Sequence, residues 1–303
     1  RIRIFRADLP MVEGSYSWST QSHAGFDTTV VLVDTDEGLT GVGECCPLGP
    51  TYLPAYAHGV RAGIAQLAPH LIDKDPTQLD RINHLMDTQL KGHPYVKSAI
   101  DMACWDILGK ATGLPVYVLL GGKLQEKVTL YKVVSRADPN AMAERIPEYR
   151  DKGFHQFQVK VGEDPSTDII RIHRVAEEME AGEVLNADAN TGWKQHEALQ
   201  VAHGIADIGK QTGIRLTFEQ PCLSYHECLA VRQHTNLPFV LDECMDSINA
   251  LLQAQHDHAM DMINLKISRF GGITRARQVR DLCVSLGLPM NVEDSWGGEI
   301  TTA

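Results

Sequence analysis

Several features that would mark a membrane, secreted or nucleotide-binding protein are missing from this chain. No apolar run approaches the ~20 residues needed to span a bilayer. The start, from Arg1 to Leu9, alternates like a strand and has no signal-peptide core. Neither a Walker A loop nor a glycine-rich dinucleotide fingerprint is present. These absences argue against a membrane protein, a secreted protein and the two common nucleotide-binding folds.

The cysteines lack the spacing of a disulfide framework. The chain has seven, an odd number, and only Cys45 and Cys46 are adjacent. Because neighbouring cysteines rarely bridge, this usage indicates a reducing, cytoplasmic interior. The net charge of -11 argues against nucleic acid as a partner. The length of 303 residues exceeds the usual range of a single core, which favours one barrel plus a smaller second region.

The first 122 residues mix strand and helix patterns. Alternation over Ile2–Ala7, the β-branched run Thr28–Asp34 and the stretch 40–44 predict strands. Apolar spacing predicts three helices, over about residues 55–71, 76–90 and 95–112. Between the first two strands, Gly14–Gly25 is polar, aromatic and flanked by glycine, which predicts a mobile loop. We therefore assign residues 1–122 to an α+β capping domain.

After Gly121 and Gly122 the pattern changes to short apolar runs that alternate with helical stretches. Each run ends in a polar or charged residue, and these are Lys160, Asp188, Glu219, Asp242, Lys266 and Asp294. The steps between them are 28, 31, 23, 24 and 28 residues, about the length of a strand plus a crossover helix. Continuous apolar strands separated by helices predict a parallel sheet that is buried on both faces.

Seven such strands are visible in residues 123–303 if Val128–Val134 is the first. This is one strand short of a closed (β/α)8 barrel. We therefore predict an α/β fold of (β/α)7β type, a modified TIM barrel with an N-terminal α+β capping domain. The chain stops at Ala303, where the helix after the seventh strand should begin. We expect that a C-terminal segment is missing and that the barrel is truncated before its eighth unit.

Three consecutive strands end in carboxylates, at Asp188, Glu219 and Asp242, and the flanking strands end in Lys160 and Lys266. Barrel enzymes place catalytic groups at the carboxyl ends of their strands, on one shared face. Converging carboxylates repel each other unless a cation is present, and a ligand set made only of oxygen suits Mg²⁺. For one residue alone, a strand-end carboxylate paired with a lysine would be the better interpretation. All five at successive strand ends favour a metal site.

The expected cation explains the two lysines. A proton alpha to a carboxylate is very weakly acidic because its removal gives a dianionic enolate, and magnesium offsets that charge. A lysine near the cation is pushed toward its neutral form and can act as a base. The second lysine can protonate the opposite face. The partner predicted from these residues is a small-molecule carboxylate.

The constellation resembles the enolase superfamily, in its muconate-lactonizing branch. The motifs that carry this resemblance are QVK (158–160), DAN (188–190), EQP (219–221), LDE (241–243), KISRFGG (266–272), the helix KSAIDMACWDILGKATG and LLGG (119–122). By this resemblance Asp188, Glu219 and Asp242 are metal ligands, and Lys160 and Lys266 are the acid/base groups. The resemblance also implies a homo-oligomer.

Two positions depart from the pattern of related branches. The muconate-lactonizing branch often has lysine two residues before its acid/base lysine, whereas this chain has Gln158, which we interpret as a donor to the substrate carboxylate. The mandelate-racemase branch has a histidine at the seventh strand end. This chain has Glu293-Asp294-Ser295-Trp296 there, which argues against a histidine base.

Three segments give a finer resemblance. PLGPTYLP (47–54), QVK and EDSWGGEI (293–300) are similar to proline-betaine and 4-hydroxyproline-betaine racemases, and the TYLP loop is shared with cis-3-hydroxy-L-proline dehydratases. We expect Gly14–Gly25 and Pro47–Pro54 to lie over the barrel mouth. Carboxylates and aromatic faces both hold ammonium groups, although ordinary packing explains any single aromatic residue as well. The substrate-binding candidates are Tyr52, Gln158, Asp294, Ser295, Trp18 and Trp296.

Three functions compete at this point. We prefer a racemase or epimerase of a cyclic amino acid or its betaine, with two lysines acting through an enolate. Syn β-elimination of water from a 3-hydroxyproline through the same enolate is the second enzyme hypothesis. A non-catalytic barrel that retained its metal site is the third, although the intact lysines and ligands argue against it.

Overall fold

The computed structural model describes all residues from Arg1 to Ala303. Its strands are β1 (Ile2–Pro10), β2 (Tyr16–Trp18), β3 (Gln21–His23), β4 (Gly25–Asp34), β5 (Thr40–Cys45), β6 (Lys132–Val134), β7 (Gln156–Lys160), β8 (Val184–Asp188), β9 (Arg215–Glu219), β10 (Phe239–Leu241), β11 (Met262–Lys266) and β12 (Met290–Glu293). Its helices are α1 (Ala57–Leu71), α2 (Leu79–Gln89), α3 (Pro94–Thr112), α4 (Val116–Leu119), α5 (Pro139–Asp151), α6 (Pro165–Glu177), α7 (Gln195–Gly204), α8 (Ile208–Thr212), α9 (Tyr225–Arg232), α10 (Ile248–His256), α11 (Ile267–Phe270), α12 (Ile273–Leu286) and α13 (Glu299–Thr302).

The strands from β6 to β12 form one seven-stranded sheet in chain order. Helices follow its strands, as in a (β/α) barrel, which confirms the predicted fold class. The predicted strand ends also agree with the structure. The strands β7, β8, β9 and β11 end at Lys160, Asp188, Glu219 and Lys266, while Asp242 and Asp294 each come one residue after a strand.

The antiparallel sheet β1-β4-β5 is covered by α3, as expected for an α+β region. Pro94 begins α3 and Gly113 ends it with a φ of 69°, a conformation that glycine adopts without strain. The helix lies directly on the backbone of β5. A Cβ atom at Gly41 or Gly43 would approach the carbonyl oxygens of Ala103 or Ala99 to 2.1 and 1.9 Å, so only glycine allows this packing.

Two segments differ from their sequence-based prediction. We expected the first barrel strand over Val128–Val134, but β6 covers only Lys132–Val134 and the side chains of Val128 and Leu130 are exposed. The predicted mobile loop Gly14–Gly25 instead contains the antiparallel hairpin β2–β3, in which Tyr16 pairs with His23. Its polar composition concealed this short pairing, because both strands are only three residues long.

The chain divides into two compact units. The first unit comprises Arg1–Pro10, Gly25–Glu126 and Leu265–Ala303, and the second comprises Met11–Ala24 and Lys127–Asn264. None of the helices is long and apolar enough to cross a membrane.

Candidate active site

Neighbouring strands of the second unit end level with one another. Lys160 on β7 pairs with Asp188 on β8, and Asp188 pairs with Glu219 on β9. The row continues onto β10, because Val240 pairs with Glu219 and Asp242 follows two residues later. The parallel register therefore brings one lysine and three carboxylates to one edge of the sheet, and none of the four is more than 5% exposed.

Lys160 forms an ion pair with Oδ2 of Asp188. The other Asp188 oxygen accepts a hydrogen bond from the backbone N–H of Asn190 at 2.8 Å. Burial is the largest influence on the pKa of Lys160 and lowers it, but the charges of Asp188 and Glu219 and the hydrogen bond to Asp188 raise the pKa above its ordinary value. Lys160 is therefore held as an ammonium by its carboxylate neighbours. A cation that binds Asp188 would weaken this ion pair and lower the pKa of Lys160, which would make the lysine a better base.

Three carboxamides hold the carboxylate of Glu219. Gln158 donates to Oε2 at 3.0 Å, Asn264 donates to Oε1 at 2.6 Å, and Asn186 also donates to Oε2. Donors of this kind stabilise the ionised carboxylate but add no positive charge. Glu219 therefore stays available as an anionic ligand although it is fully buried.

The three carboxamides share one position in the sequence pattern. Each lies two residues before a strand-end residue: Gln158 before Lys160, Asn186 before Asp188 and Asn264 before Lys266. A strand repeats every two residues, so each amide shares a face with the strand-end residue that follows it. This position in the pattern was the signal for Asn186 and Asn264, which our sequence analysis missed.

Gln158 has a partner in the structure that the sequence did not predict. Its amide donates to Glu219, and the residue is only 2% exposed. A contact of Gln158 with the substrate carboxylate stays a prediction. Its observed contact is with a candidate metal ligand.

The acidic residues of the second unit suit a hard cation. Oxygen atoms of Glu219 and Asp242 lie within 4.8 Å of each other. The backbone N–H of Asp242 is held by Oε1 of Gln220 at 2.8 Å, and Gln220 itself has an unusual φ of 32°. Asp188, which pairs with Glu219 in the sheet, is buried as well, and its place in the ligand set stays a prediction. These residues offer only oxygen ligands, without thiol or imidazole. This is the chemistry that Mg²⁺ prefers.

In the first unit, Lys266 lies beside Tyr52 and Glu293. Its Nζ is 2.8 Å from Oε1 of Glu293 and 3.3 Å from the hydroxyl oxygen of Tyr52. Arg269, which is 1% exposed, donates from Nη2 to the same hydroxyl oxygen at 2.9 Å. Burial and the charge of Asp294 raise the pKa of Glu293 to about 8. We predicted roles for Lys266 and Tyr52 from the sequence, but none for Arg269 or Glu293.

Two further substrate-binding candidates, in the loop after β12, are engaged by other parts of the first unit. Asp294 accepts hydrogen bonds from the Ser268 hydroxyl and from the Ser295 backbone, both at 2.7 Å. Burial raises the pKa of Asp294, while the Ser268 and Ser295 hydrogen bonds act in the opposite direction. The hydroxyls of Ser295 and Tyr95 are 2.6 Å apart. These contacts fix the loop, and a substrate contact by Asp294 or Ser295 stays a prediction.

The two tryptophan candidates lie in aromatic surroundings. Trp18 is 2% exposed and stacks on His23 with ring centroids 4.8 Å apart. The rings of Trp296 and Phe26 have centroids 5.0 Å apart. Packing accounts for both rings, and their role in binding ammonium stays a prediction.

Both loops expected over the barrel mouth lie at carboxyl ends of strands. Ser19 in the β2–β3 hairpin donates from its backbone N–H to the Val161 carbonyl at 3.1 Å and from its hydroxyl to the Gly162 carbonyl at 3.0 Å. These carbonyls immediately follow Lys160. Tyr52, from the loop 47–54, contacts Lys266 at the end of β11. Each loop therefore contacts the segment that carries or follows one of the candidate acid/base lysines.

A parallel sheet with a lysine and buried carboxylates at the ends of neighbouring strands is typical of an acid/base enzyme. Residues 5–121 match the N-terminal domain of mandelate racemase/muconate lactonizing enzymes, and residues 141–303 match the enolase C-terminal domain-like family. The chain therefore belongs to the mandelate racemase/muconate lactonizing family of the enolase superfamily. This confirms the resemblance found in the sequence.

Relatives within this family carry out more than one reaction. The chain is 52% identical over 303 residues to a cis-3-hydroxy-L-proline dehydratase of Roseibium aggregatum, covering 100% of this chain and 81% of the relative. It is 30% identical over 294 residues to an N-succinyl-L-Arg/Lys racemase of Bacillus cereus, covering 96% and 78%. Because the relatives include both a dehydratase and a racemase, our preference for racemisation is not confirmed.

A related solved structure contains the expected metal. The crystal structure of an enolase superfamily member from Roseovarius nubinhibens ISM, complexed with magnesium, has a TM-score of 0.90 and 40% identity to this chain. The match covers 100% of this chain and 80% of that one. A member of this superfamily with the same fold therefore binds magnesium.

Proposed function

We propose that this chain is a magnesium-dependent dehydratase that removes water from cis-3-hydroxy-L-proline. The observation that carries the proposal is the 52% identity, over the whole chain, to a dehydratase of that name. The sequence motifs alone favoured racemisation. The racemase of Bacillus cereus is only 30% identical, and this difference moves our preference to elimination.

The stereochemistry of the substrate makes specific demands on the site. In a cis-3-hydroxyproline the hydroxyl and the carboxylate share one face of the ring, so the alpha hydrogen lies on the opposite face. Loss of water therefore requires a base on one face and a proton donor on the other. This is an anti elimination, which corrects the syn elimination expected from the sequence. Two acid/base lysines, Lys160 and Lys266, are suited to this division of work as well as to racemisation.

The residues at the strand ends divide into two roles. We assign Asp188, Glu219 and Asp242 to hold Mg²⁺, which when bound offsets the negative charge that develops on the substrate carboxylate as the alpha proton leaves. Lys160 removes the alpha proton. The amides that donate to Glu219 favour its ionised form, and we assign Tyr52 and Lys266 to the departure of the hydroxyl.

Racemisation or epimerisation of a cyclic amino acid or betaine is the second candidate. It is supported by the racemase among the relatives and by the presence of both lysines, because racemisation needs one acid/base group for each face. A metal-binding barrel without catalysis is the third hypothesis. It predicts no alpha-proton exchange with any substrate.

Proton NMR in deuterated water separates these candidates. Purified protein with Mg²⁺ is mixed either with cis-3-hydroxy-L-proline or with proline betaine and its 4-hydroxylated analogue. Dehydration predicts loss of the ring signals at C2 and C3 and formation of a pyrroline carboxylate. Inversion of a betaine with deuterium at C2, and no loss of water from the hydroxyproline, would transfer the assignment to the racemase.

Several expectations from the sequence remain part of the proposal. These are the division into residues 1–122 and 123–303, the small-molecule partner, the homo-oligomer and the substrate contacts of Tyr52, Gln158, Asp294, Ser295, Trp18 and Trp296. A cytoplasmic location is supported by seven free thiols, six of which are buried. Analytical ultracentrifugation would test the oligomer.

A further inference from the structure

The hydroxyl of Tyr52 lies between two cations. Its oxygen is 2.9 Å from Nη2 of Arg269 and 3.3 Å from Nζ of Lys266. The charged carbon of Arg269 and the Nζ of Lys266 also lie 5.8 and 5.9 Å from the centre of the Tyr52 ring. Guanidinium and ammonium groups only donate hydrogen bonds. The phenol oxygen is therefore the acceptor in both contacts, and its own proton takes part in neither.

These two cations favour loss of the proton from the Tyr52 hydroxyl. Positive charges at hydrogen-bond distance stabilise a phenolate more than a phenol. Arg269 is 1% exposed and always charged, so its contribution is permanent. Lys266 adds a second property, because an ammonium 3.3 Å away can return a proton to the phenolate after each turnover.

Other tyrosines of the chain have different surroundings. The hydroxyl of Tyr225 donates to Asp257 at 2.7 Å, and that of Tyr149 donates to Glu13 at 2.9 Å. A carboxylate acceptor opposes loss of the phenolic proton. Tyr52 differs from these two because its hydroxyl oxygen accepts hydrogen bonds from two cations.

We propose that Tyr52 is the general acid that protonates the departing 3-hydroxyl, with Arg269 and Lys266 stabilising its phenolate. This assignment rests on the proposed dehydratase function. It gives Tyr52, which sequence analysis treated as a binding residue, a place in the chemistry. It also explains why a buried arginine lies beside one of the candidate acid/base lysines.

The step balances without any further reactant. The C2–H bond breaks and its proton goes to Lys160. The electron pair forms the C2=C3 double bond while the C3–O bond breaks, and the oxygen leaves as water with the proton of Tyr52. Lys266 returns a proton to Tyr52, and both lysines equilibrate with solvent. The enamine product then tautomerises to the cyclic imine.

The test uses Tyr52→Phe in the magnesium-loaded enzyme, with Tyr225→Phe as the matched control. Three rates are measured: dehydration of cis-3-hydroxy-L-proline, exchange of its alpha proton with deuterium, and loss of chloride from cis-3-chloroproline. A chloride leaving group needs no proton, so its elimination bypasses the general acid. Circular dichroism and thermal melting show whether the variants fold.

We expect Tyr52→Phe to slow dehydration on the order of 100- to 10,000-fold, the usual contribution of a general acid. Alpha-proton exchange and chloride elimination should stay within about threefold of the wild type, because neither needs the phenol. The control should match the wild type in all three rates. A general loss of structure would slow all three reactions, so it cannot explain a fall confined to dehydration.

Two results would overturn the assignment. One is dehydration by Tyr52→Phe at close to the wild-type rate, and the other is an equal fall in all three rates, which would indicate a positioning role. If the wild type itself releases no water from the hydroxyproline, the proposed function fails and the role of Tyr52 fails with it. The wild-type measurement therefore distinguishes the two failures.

Discussion

Glu219 and Asn264 are joined by a 2.6 Å hydrogen bond across 45 residues of sequence, from the amide of β11 to the carboxylate of β9. Both residues are fully buried. The bond ties a candidate metal ligand to the strand that carries Lys266. Groups that form hydrogen bonds to a metal ligand are expected to affect metal affinity almost as strongly as the ligand itself.

Replacing Asn264 with leucine should therefore weaken both folding and metal binding. The variant has a similar volume but removes one donor from a buried carboxylate, which costs about 1–3 kcal/mol of unfolding free energy. Its Mg²⁺ affinity should fall by about 10- to 100-fold. Urea unfolding without metal and calorimetric titration with Mg²⁺ measure the two effects. The control is Asn140→Leu, at an exposed amide on α5, and equal behaviour of the two variants would contradict the role of Asn264.

Much of the fold follows from short-range patterns in the sequence. The strand ends at Lys160, Asp188 and Glu219 were predictable because apolar runs and regular steps determine where buried strands lie. The row of charges followed from parallel register. In contrast, the strand β6 was predicted too long, because a β-branched run was taken as buried although Val128 and Leu130 are exposed.

The contacts around the candidate site were less predictable. Neutral amides such as Asn186 and Asn264 produce no signal in charge or hydrophobicity, so only their position two residues before a strand end would have indicated them. The contact between Tyr52 and Arg269 spans 217 residues. No local pattern carries a contact at that separation, and it becomes visible only when the loop after β5 and the segment after β11 are folded together.

The cysteines should be unreactive in the folded protein. Burial raises the pKa of Cys46 and of Cys244 to about 12 and that of Cys283 to about 11. Only about one in 1,000 of even the Cys283 thiols is then ionised at pH 8, and the thiolate is the reactive form. Ellman's reagent should label the native chain slowly and all seven thiols after unfolding in urea. Rapid labelling of several thiols in the native state would contradict these shifts.

Magnesium should stabilise the folded chain, independently of any activity. A ligand that binds only the native state at 100 times its Kd adds about 2.7 kcal/mol to the unfolding free energy. The melting temperature of metal-free protein should therefore rise as Mg²⁺ is added. Asp242→Asn should abolish most of this shift, while Asp246→Asn, at an exposed carboxylate four residues later, should retain it. A full shift in Asp242→Asn would remove this residue from the ligand set.

The two lysines should differ in what their removal abolishes. If Lys160 is the base for cis-3-hydroxy-L-proline, Lys160→Ala should lose both alpha-proton exchange and dehydration by at least about 100-fold, the lower end of the range for acid–base catalysis. Lys266→Ala should retain exchange, because Lys160 remains, and should lose dehydration, because Tyr52 is no longer reprotonated by a neighbour 3.3 Å away. Lys210→Ala, at an exposed side chain, is the control. Proton NMR in deuterated water with added Mg²⁺ measures both rates in one sample.

Exchange that persists in Lys160→Ala and disappears in Lys266→Ala would reverse the two roles. In a racemase, by contrast, either substitution alone stops inversion, because one face of the alpha carbon then lacks its proton donor.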